Sequence, residues 1–130
     1  MKQGSVNGRL EAILPVSLIC RDGTTRIIET VIDTGFNGAM TLPAATAAEF
    51  GLVKRIRGSA ILADGSKCYF YNYKAKIDWD GGIREIIVSA IGDEPLVGMS
   101  MLKDCRLTID VMVGGKIVIK PLRSAPSTSP

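Results

Sequence analysis

The sequence predicts an all-β domain that closes, or nearly closes, into a barrel and carries one or two short helices. Three observations predict it. Apolar residues recur at every second position in several stretches, which is the period of a strand with one buried face. Turn signals built on glycine punctuate the chain every ten or so residues. The result is about seven short strands, and a set like that suits a barrel, which removes its own sheet edges.

The elements follow in order. Leu10, Ala12, Leu14, Val16, Leu18 and Cys20 share one parity and are all apolar, so this stretch reads as a half-buried strand. Asp22-Gly23 is a hairpin signal, and Thr24 to Ile32 returns as the second strand. Met40 to Leu42 is a candidate short strand. Pro43, a run of alanines and then Gly51 predict a short helix over 44–50, with proline at its start and glycine at its stop. Val53 to Ala63 is β-compatible, and Asp64-Gly65 marks the next hairpin. Tyr69, Tyr71, Tyr73, Ala75 and Ile77 then share a face. Asp80-Gly81-Gly82 turns the chain into a strand over Ile83 to Ile91. Pro95-Leu96-Val97-Gly98-Met99 leads into a second expected short helix reaching Asp104. Leu107, Ile109, Val111 and Val113 alternate with Thr108, Asp110 and Met112, Gly114-Gly115 makes the last hairpin, and Lys116 to Lys120 closes the sheet. The expected organisation is one domain over 1–122, followed by a disordered Pro/Ser-rich tail over 123–130.

Composition removes whole classes of chemistry. The chain has 130 residues and no histidine. Ser-His-Asp and Cys-His nucleophilic systems are therefore excluded, as are histidine-based zinc and iron sites. Cys20, Cys68 and Cys105 form no close pair, which argues against an all-cysteine metal site and against a disulfide framework. No metal and no cofactor is expected. A reducing, cytoplasmic setting is. The net charge of +3 is spread along the chain, and no basic stripe interleaves with aromatics, so no nucleic-acid partner is expected. The apolar stretch from Leu10 to Cys20 is broken by Glu11, Pro15 and Ser17, so neither a signal peptide nor a membrane span is predicted. Carboxylate acid–base chemistry survives this elimination, because it needs only aspartate or glutamate.

The carboxylate in the most informative context is Asp33. Asp33-Thr34-Gly35 closes the apolar run Ile27 to Ile32 and opens the turn Phe36-Asn37-Gly38. A stiff strand thus delivers an acid into a tight loop, a common arrangement for chemistry. Further on, the pair Leu96-Val97 is followed by Gly98. These two motifs, in this order, resemble the retropepsin-like (clan AA) family of aspartic proteases, and Phe36 after the glycine resembles a prokaryotic subgroup that reads Asp-Thr-Gly-Phe. The resemblance spans about Gly8 to Leu122. It implies a closed β-barrel forming a single acid-protease lobe, with two halves related by a pseudo-twofold. It implies a catalytic role for Asp33 and a second turn, at Gly98, packed beneath it. Thr34 would hydrogen-bond across a dimer axis, Gly35 would let substrate approach, and the hairpin tip Ala63-Asp64-Gly65 would act as a flap over a peptide.

Peptide hydrolysis needs a base for water and an acid for the leaving nitrogen. Two carboxylates in contact can supply both, because like charges keep one proton shared between them. Only one Asp-Thr-Gly occurs here. Asp22, Asp64, Asp78 and Asp80 lie in turns, Asp110 lies on a polar strand face, and Asp93-Glu94, the nearest competitor, lacks the glycine turn. The second acid is therefore expected from another copy of the chain, through a closed C2 dimer that sets Asp33 against its own counterpart. The expected function is an aspartic endopeptidase acting on peptide or protein substrates as a homodimer. Two other readings stay open. In one, the dimeric barrel grips extended peptides without cutting them. In the other, a β-barrel keeps Asp33 in a structural loop, paired to a cation. Open too are the Asp64-Gly65 segment as an ordinary hairpin, Thr34 as a local turn donor, Phe36 as a wall that narrows the site or as core filling, and Tyr69 and Tyr71 as cleft lining or as packing residues.

Overall fold

The alternation written into the sequence becomes a ring of strands. The structure, a computed structural model, describes residues 1–122, so the expected disordered tail over 123–130 lies outside the described residues. Among the described residues, ten strands and one helix occur in chain order: β1 Lys2–Val6, β2 Ala12–Ile19, β3 Thr25–Ile32, β4 Met40–Leu42, α1 Ala44–Glu49, β5 Val53–Ile61, β6 Lys67–Trp79, β7 Gly82–Ala90, β8 Leu96–Val97, β9 Cys105–Ile109 and β10 Lys116–Pro121. They form one sheet in the order β5-β6-β7-β4-β8-β3-β2-β1-β10-β9, and a further pairing of β6 with β2 closes its middle into a barrel.

The closure depends on β2. One edge of this strand pairs along most of its length with β3. The other edge is shared. Ala12 and Ile13 pair with β1, while Ser17 to Ile19 pair with Lys76 to Asp78 of β6. Between these two pairings lies Pro15, which has no N–H to leave unpaired. The barrel thus closes on one half of β2, and the three-stranded layer β1-β10-β9 peels away from the other half.

The predicted inward parity holds on this ring. Leu14, Val16, Leu18 and Cys20 are buried, whereas Leu10, before the strand, is exposed at a positive φ of 59°. In β3 the inward residues are Ile28, Thr30 and Ile32, and the buried Thr30 hydroxyl donates to the Leu14 carbonyl at 2.8 Å. Met40 and Leu42 of β4, Ile77 of β6, Val88 of β7 and Val97 of β8 complete the barrel core, while Ile117 and Ile119 of β10 fill the space under the outer layer. The Asp80-Gly81 turn between β6 and β7 takes positive φ at both residues, 52° and 89°, which matches the twist of the paired strands.

Three expectations are corrected. A first strand, β1, precedes all those expected. The stretch after Gly98 is not a helix but a run of turns, with Met101 N–H donating to Gly98, Leu102 to Met99 and Cys105 to Leu102. The strand expected to reach Val113 stops at Ile109. Val111, Met112 and Val113 lie exposed in the β9–β10 loop, where a Cβ on Gly115 would collide with the carbonyl of Asp110. Among the described residues, no helix is long and apolar enough to cross a membrane.

The register at the seam puts Leu18 directly opposite Ile77, both with no exposed surface. Leu18→Ala is expected to cost about 2–5 kcal/mol, the range for truncating a packed leucine, because the seam has no other strand to fill the gap. Urea unfolding of the two proteins measures it.

Candidate active site

The site begins where β3 ends. Residues Val31 and Ile32 run parallel to Leu96 and Val97 of β8, so the chain leaves the sheet at Asp33 with its backbone already fixed. The Asp33 N–H donates to the Val97 carbonyl at 2.9 Å, and the Val31 N–H donates to Pro95 at 3.0 Å. The Asp33 carbonyl then accepts from Phe36 N–H at 3.1 Å, which closes a tight turn. Inside that turn, Asp33 Oδ1 accepts the Gly35 N–H at 2.9 Å. The other carboxylate oxygen makes no hydrogen bond to any described residue, and Asp33 forms no ion pair with one. Thr34 is exposed, and its hydroxyl makes no hydrogen bond among the described residues.

Below this turn the chain is zipped shut. Gly98 N–H donates to Ala39, Met99 N–H to Phe36 and Ser100 N–H to Gly38, at 3.0, 2.8 and 3.2 Å. The two loops come so close that a Cβ on Gly98 would sit 2.5 Å from both the Phe36 carbonyl oxygen and the Phe36 ring, and closer still to the Gly38 oxygen. Two of those three atoms are backbone and cannot rotate away. Gly35 differs. A Cβ there would meet only Asp33 Oδ1, at 3.3 Å. The Phe36 ring lies across Gly38 and Gly98 and also walls the cavity beside Asp33, so it both packs the loops and shapes the site.

A residue outside the motifs supports the lower loop. Arg84 of β7 sends its guanidinium to the carbonyls of Met101 and Ser100, at 2.9 and 3.0 Å. The sequence carried a faint sign of it, a lone arginine in the apolar stretch Ile83 to Ile91. Thr41, buried in β4, is a second such residue. Its hydroxyl accepts the Leu96 N–H at 3.1 Å and donates to the Glu94 carbonyl at 3.4 Å.

Above the turn stands the β5–β6 hairpin. Strand β7 pairs with β6 only from Asn72 to Trp79, so Lys67 to Tyr71 have β5 as their sole neighbour and project from the barrel. A hydrogen bond from Ser89 Oγ to Asn72 Oδ1 at 2.7 Å marks the root of the projection. Ala63, Asp64 and Gly65 form its tip, where Asp64 Oδ1 accepts from the Ser66 hydroxyl at 2.6 Å and from the Ser66 N–H at 2.9 Å. These bonds, the hydroxyl first, hold the Asp64 carboxyl below the usual aspartate range.

A cavity of about 420 Å³ opens between the hairpin and the Asp33 turn. Asp33, Gly35 and Phe36 line its floor, and Ala60 and Phe70 come down from the hairpin. The hairpin tip does not reach this cavity, and neither do Tyr69 and Tyr71, which are 57% and 43% exposed on the opposite face. Their parity is buried only from Tyr73 onward, where β6 enters the barrel. Among the described residues, no cluster of three or more histidine, cysteine, aspartate or glutamate side chains is arranged to hold a metal ion.

No protein-family model matches the chain, and no curated protein does either. Among solved structures, the fold is similar to the crystal structure of a retropepsin-like aspartic protease from Rickettsia conorii, with a TM-score of 0.56 and 14% sequence identity. The likeness covers 91% of this chain and 89% of that one. The fold is retropepsin-like. With it, the predicted all-β barrel stands.

Two predictions follow from this packing. Gly98→Ala is expected to lose about 3 kcal/mol in urea unfolding, whereas Gly35→Ala stays within about 1 kcal/mol of the parent, because only the former meets backbone. At the hairpin tip, a carboxylate with a lowered value in the fold stabilises it above the ordinary aspartate value of 3.8 and loses that effect as pH falls through the lowered value. The Ser66 amide resonance should therefore titrate below 3.8, and Asp64→Asn should abolish that titration.

Proposed function

We propose that this chain is an aspartic endopeptidase whose catalytic pair is Asp33 and its symmetry mate in a homodimer. The observation that carries the proposal is the Asp33 carboxylate itself. It sits on a pinned turn, keeps one oxygen without a described partner and faces an apolar-walled cavity in a retropepsin-like fold. The sequence has no histidine, and a carboxylate pair supplies both acid and base without one.

In this reading, two Asp33 side chains share one proton across the dyad. The ionised one takes a proton from water as the oxygen attacks the peptide carbonyl carbon. The protonated one gives its proton toward the carbonyl oxygen, and a tetrahedral diol forms. Collapse of that diol breaks the C–N bond, with a proton delivered to the leaving nitrogen, and returns the pair to its shared-proton state. Thr34 would hold the two turns together across the axis. Gly35 would leave room for the water and the scissile bond. The β5–β6 hairpin, with Ala63, Asp64 and Gly65 at its tip, would close over an extended peptide and offer it backbone hydrogen bonds. A cytoplasmic location belongs to the same proposal, supported by three unpaired cysteines.

The test uses mixed dimers. Asp33→Asn alone should abolish cleavage of a mixed peptide library while leaving the thermal midpoint near that of the parent. Under free subunit exchange, activity should then follow the square of the wild-type fraction, because a mixed dimer has only one ionisable member. A linear dependence would instead assign the whole site to one chain, with Asp93 or Glu94 as the second acid. Peptides that bind but stay intact across the acid-to-neutral range would establish the non-catalytic binding module.

A further inference from the structure

The cavity beside Asp33 has a charge pattern that runs against the rest of the chain. The protein as a whole carries a net charge of +3. Yet three acidic residues, Asp33, Asp93 and Glu94, line this one space, and no lysine or arginine does. Elsewhere several acids are tied down. Asp22 and Asp64 hold their own turns, Glu49 pairs with Arg26, and Glu85 pairs with Lys74. Asp93 and Glu94 are not tied down, and unlike the other untied acids Glu29, Asp78, Asp104 and Asp110 they lie beside Asp33 on this cavity. Their carboxylates make no ion pair and no hydrogen bond with any described residue.

The walls between these acids are apolar. Phe36, Phe70, Ile91 and Leu96 enclose the space, whose volume of about 420 Å³ exceeds that of any one side chain. A side chain that suits such walls needs an aliphatic stem to lie against them and a cationic head to reach the acids at the rim. Lysine and arginine combine those two parts. We infer that this cavity is a subsite selecting lysine or arginine next to the scissile bond, and that Asp93 and Glu94 are the residues that select it. The inference rests on the peptidase reading and gives it a substrate class.

The acids are carried on rigid backbone. The Glu94 carbonyl accepts from Thr41 of β4, the Pro95 carbonyl accepts from Val31 of β3, and the Leu96 N–H donates back to Thr41. Thus the rim belongs to the same strands that fix Asp33, and its distance from the reacting bond is set by the barrel. In a C2 dimer the cavity occurs twice, once on each side of the dyad. The preference is therefore expected on both sides of the cleaved bond.

The experiment compares peptides that differ at one position flanking the bond: lysine, its uncharged near-isostere norleucine, or glutamate. For the wild type, kcat/KM should favour lysine over norleucine by roughly ten- to hundredfold, the size of a charge-assisted hydrogen bond. Added salt should shrink the ratio. In the double variant Asp93→Asn, Glu94→Gln the ratio should collapse toward one. Glu94→Lys should turn the preference toward the glutamate peptide. An unchanged lysine-to-norleucine ratio in the double variant, or a wild type that favours norleucine, overturns the assignment. Complete absence of cleavage by wild type would instead count against the peptidase reading. Equilibrium binding of the same peptides then decides the subsite, with tighter binding of the lysine peptide, lost in the double variant, supporting it and equal binding ending it.

Discussion

The contact that the rest of the site depends on is the one between two loops with no room for a side chain between them. The turn at Asp33 and the turn at Gly98 are locked by backbone hydrogen bonds to the carbonyls of Val97, Phe36, Gly38 and Ala39, all at ordinary lengths. Their approach is set by atoms that cannot rotate. A Cβ at position 98 would run into two carbonyl oxygens and the Phe36 ring. Because the interior of a protein transmits strain rather than absorbing it, displacing the lower loop would displace the carboxylate above it. Arg84 and Thr41 extend this lock outward, one to the carbonyls of the lower turn and one to the strand beside it. The result is a carboxylate whose position is defined by the barrel and not by the mobility of a loop.

The barrel and the hairpin above it have opposite mechanical characters, and the boundary between them falls within a single strand. From Tyr73 to Asp78, β6 has β7 on one edge and first β5, then β2, on the other, and it buries alternate residues. From Lys67 to Tyr71 it has only β5. Few buried contacts and one-sided pairing are the properties of a segment that opens at low cost in free energy. The same strand therefore anchors the core at one end and covers the cavity at the other. That division also explains why Phe70, not its tyrosine neighbours, faces Asp33. The hairpin's inner face is continuous with β6's outward parity in the barrel, where Lys74 and Lys76 lie.

Local pattern made the ring legible in the sequence. The alternation from Leu14 to Cys20 and from Tyr73 to Ile77 is a direct record of one buried face, and Asp22-Gly23, Asp64-Gly65 and Asp80-Gly81 are turns whose backbone geometry asks for those residues. Asp33 and Gly98 were legible because each combines a strand end with a glycine turn. What the sequence hid was created by pairing. Strand β1 reads Lys2-Gln3-Gly4-Ser5-Val6, with no apolar period, and exists because β10 and β2 flank it. The alternation at Leu107 continues through Val113, but the chain stops being a strand at Asp110, where Gly115 packs on its carbonyl. The turns after Gly98 contain good helix formers, yet hydrogen bonds to the loop at Phe36 and Gly38, together with Arg84, claim their backbone groups. The rim at Asp93 and Glu94 read as an ordinary turn, because nothing local reveals that β4 and β8 bring it beside Asp33.

Catalysis and selection would then reside at different levels of organisation. A single half-buried carboxylate on a turn has no reason to hold a shared proton. That property arises only when a second carboxylate comes close enough to penalise double ionisation. Under the proposed function, the chemistry thus belongs to the dimer. The cavity that would choose the substrate side chain is different. Its floor, walls and acidic rim are each supplied by this chain. A chain whose dimer contact is weakened should keep its preference among bound peptides while losing turnover. The two functions are therefore separable by concentration alone, since dilution dissolves the dyad and leaves the subsite intact.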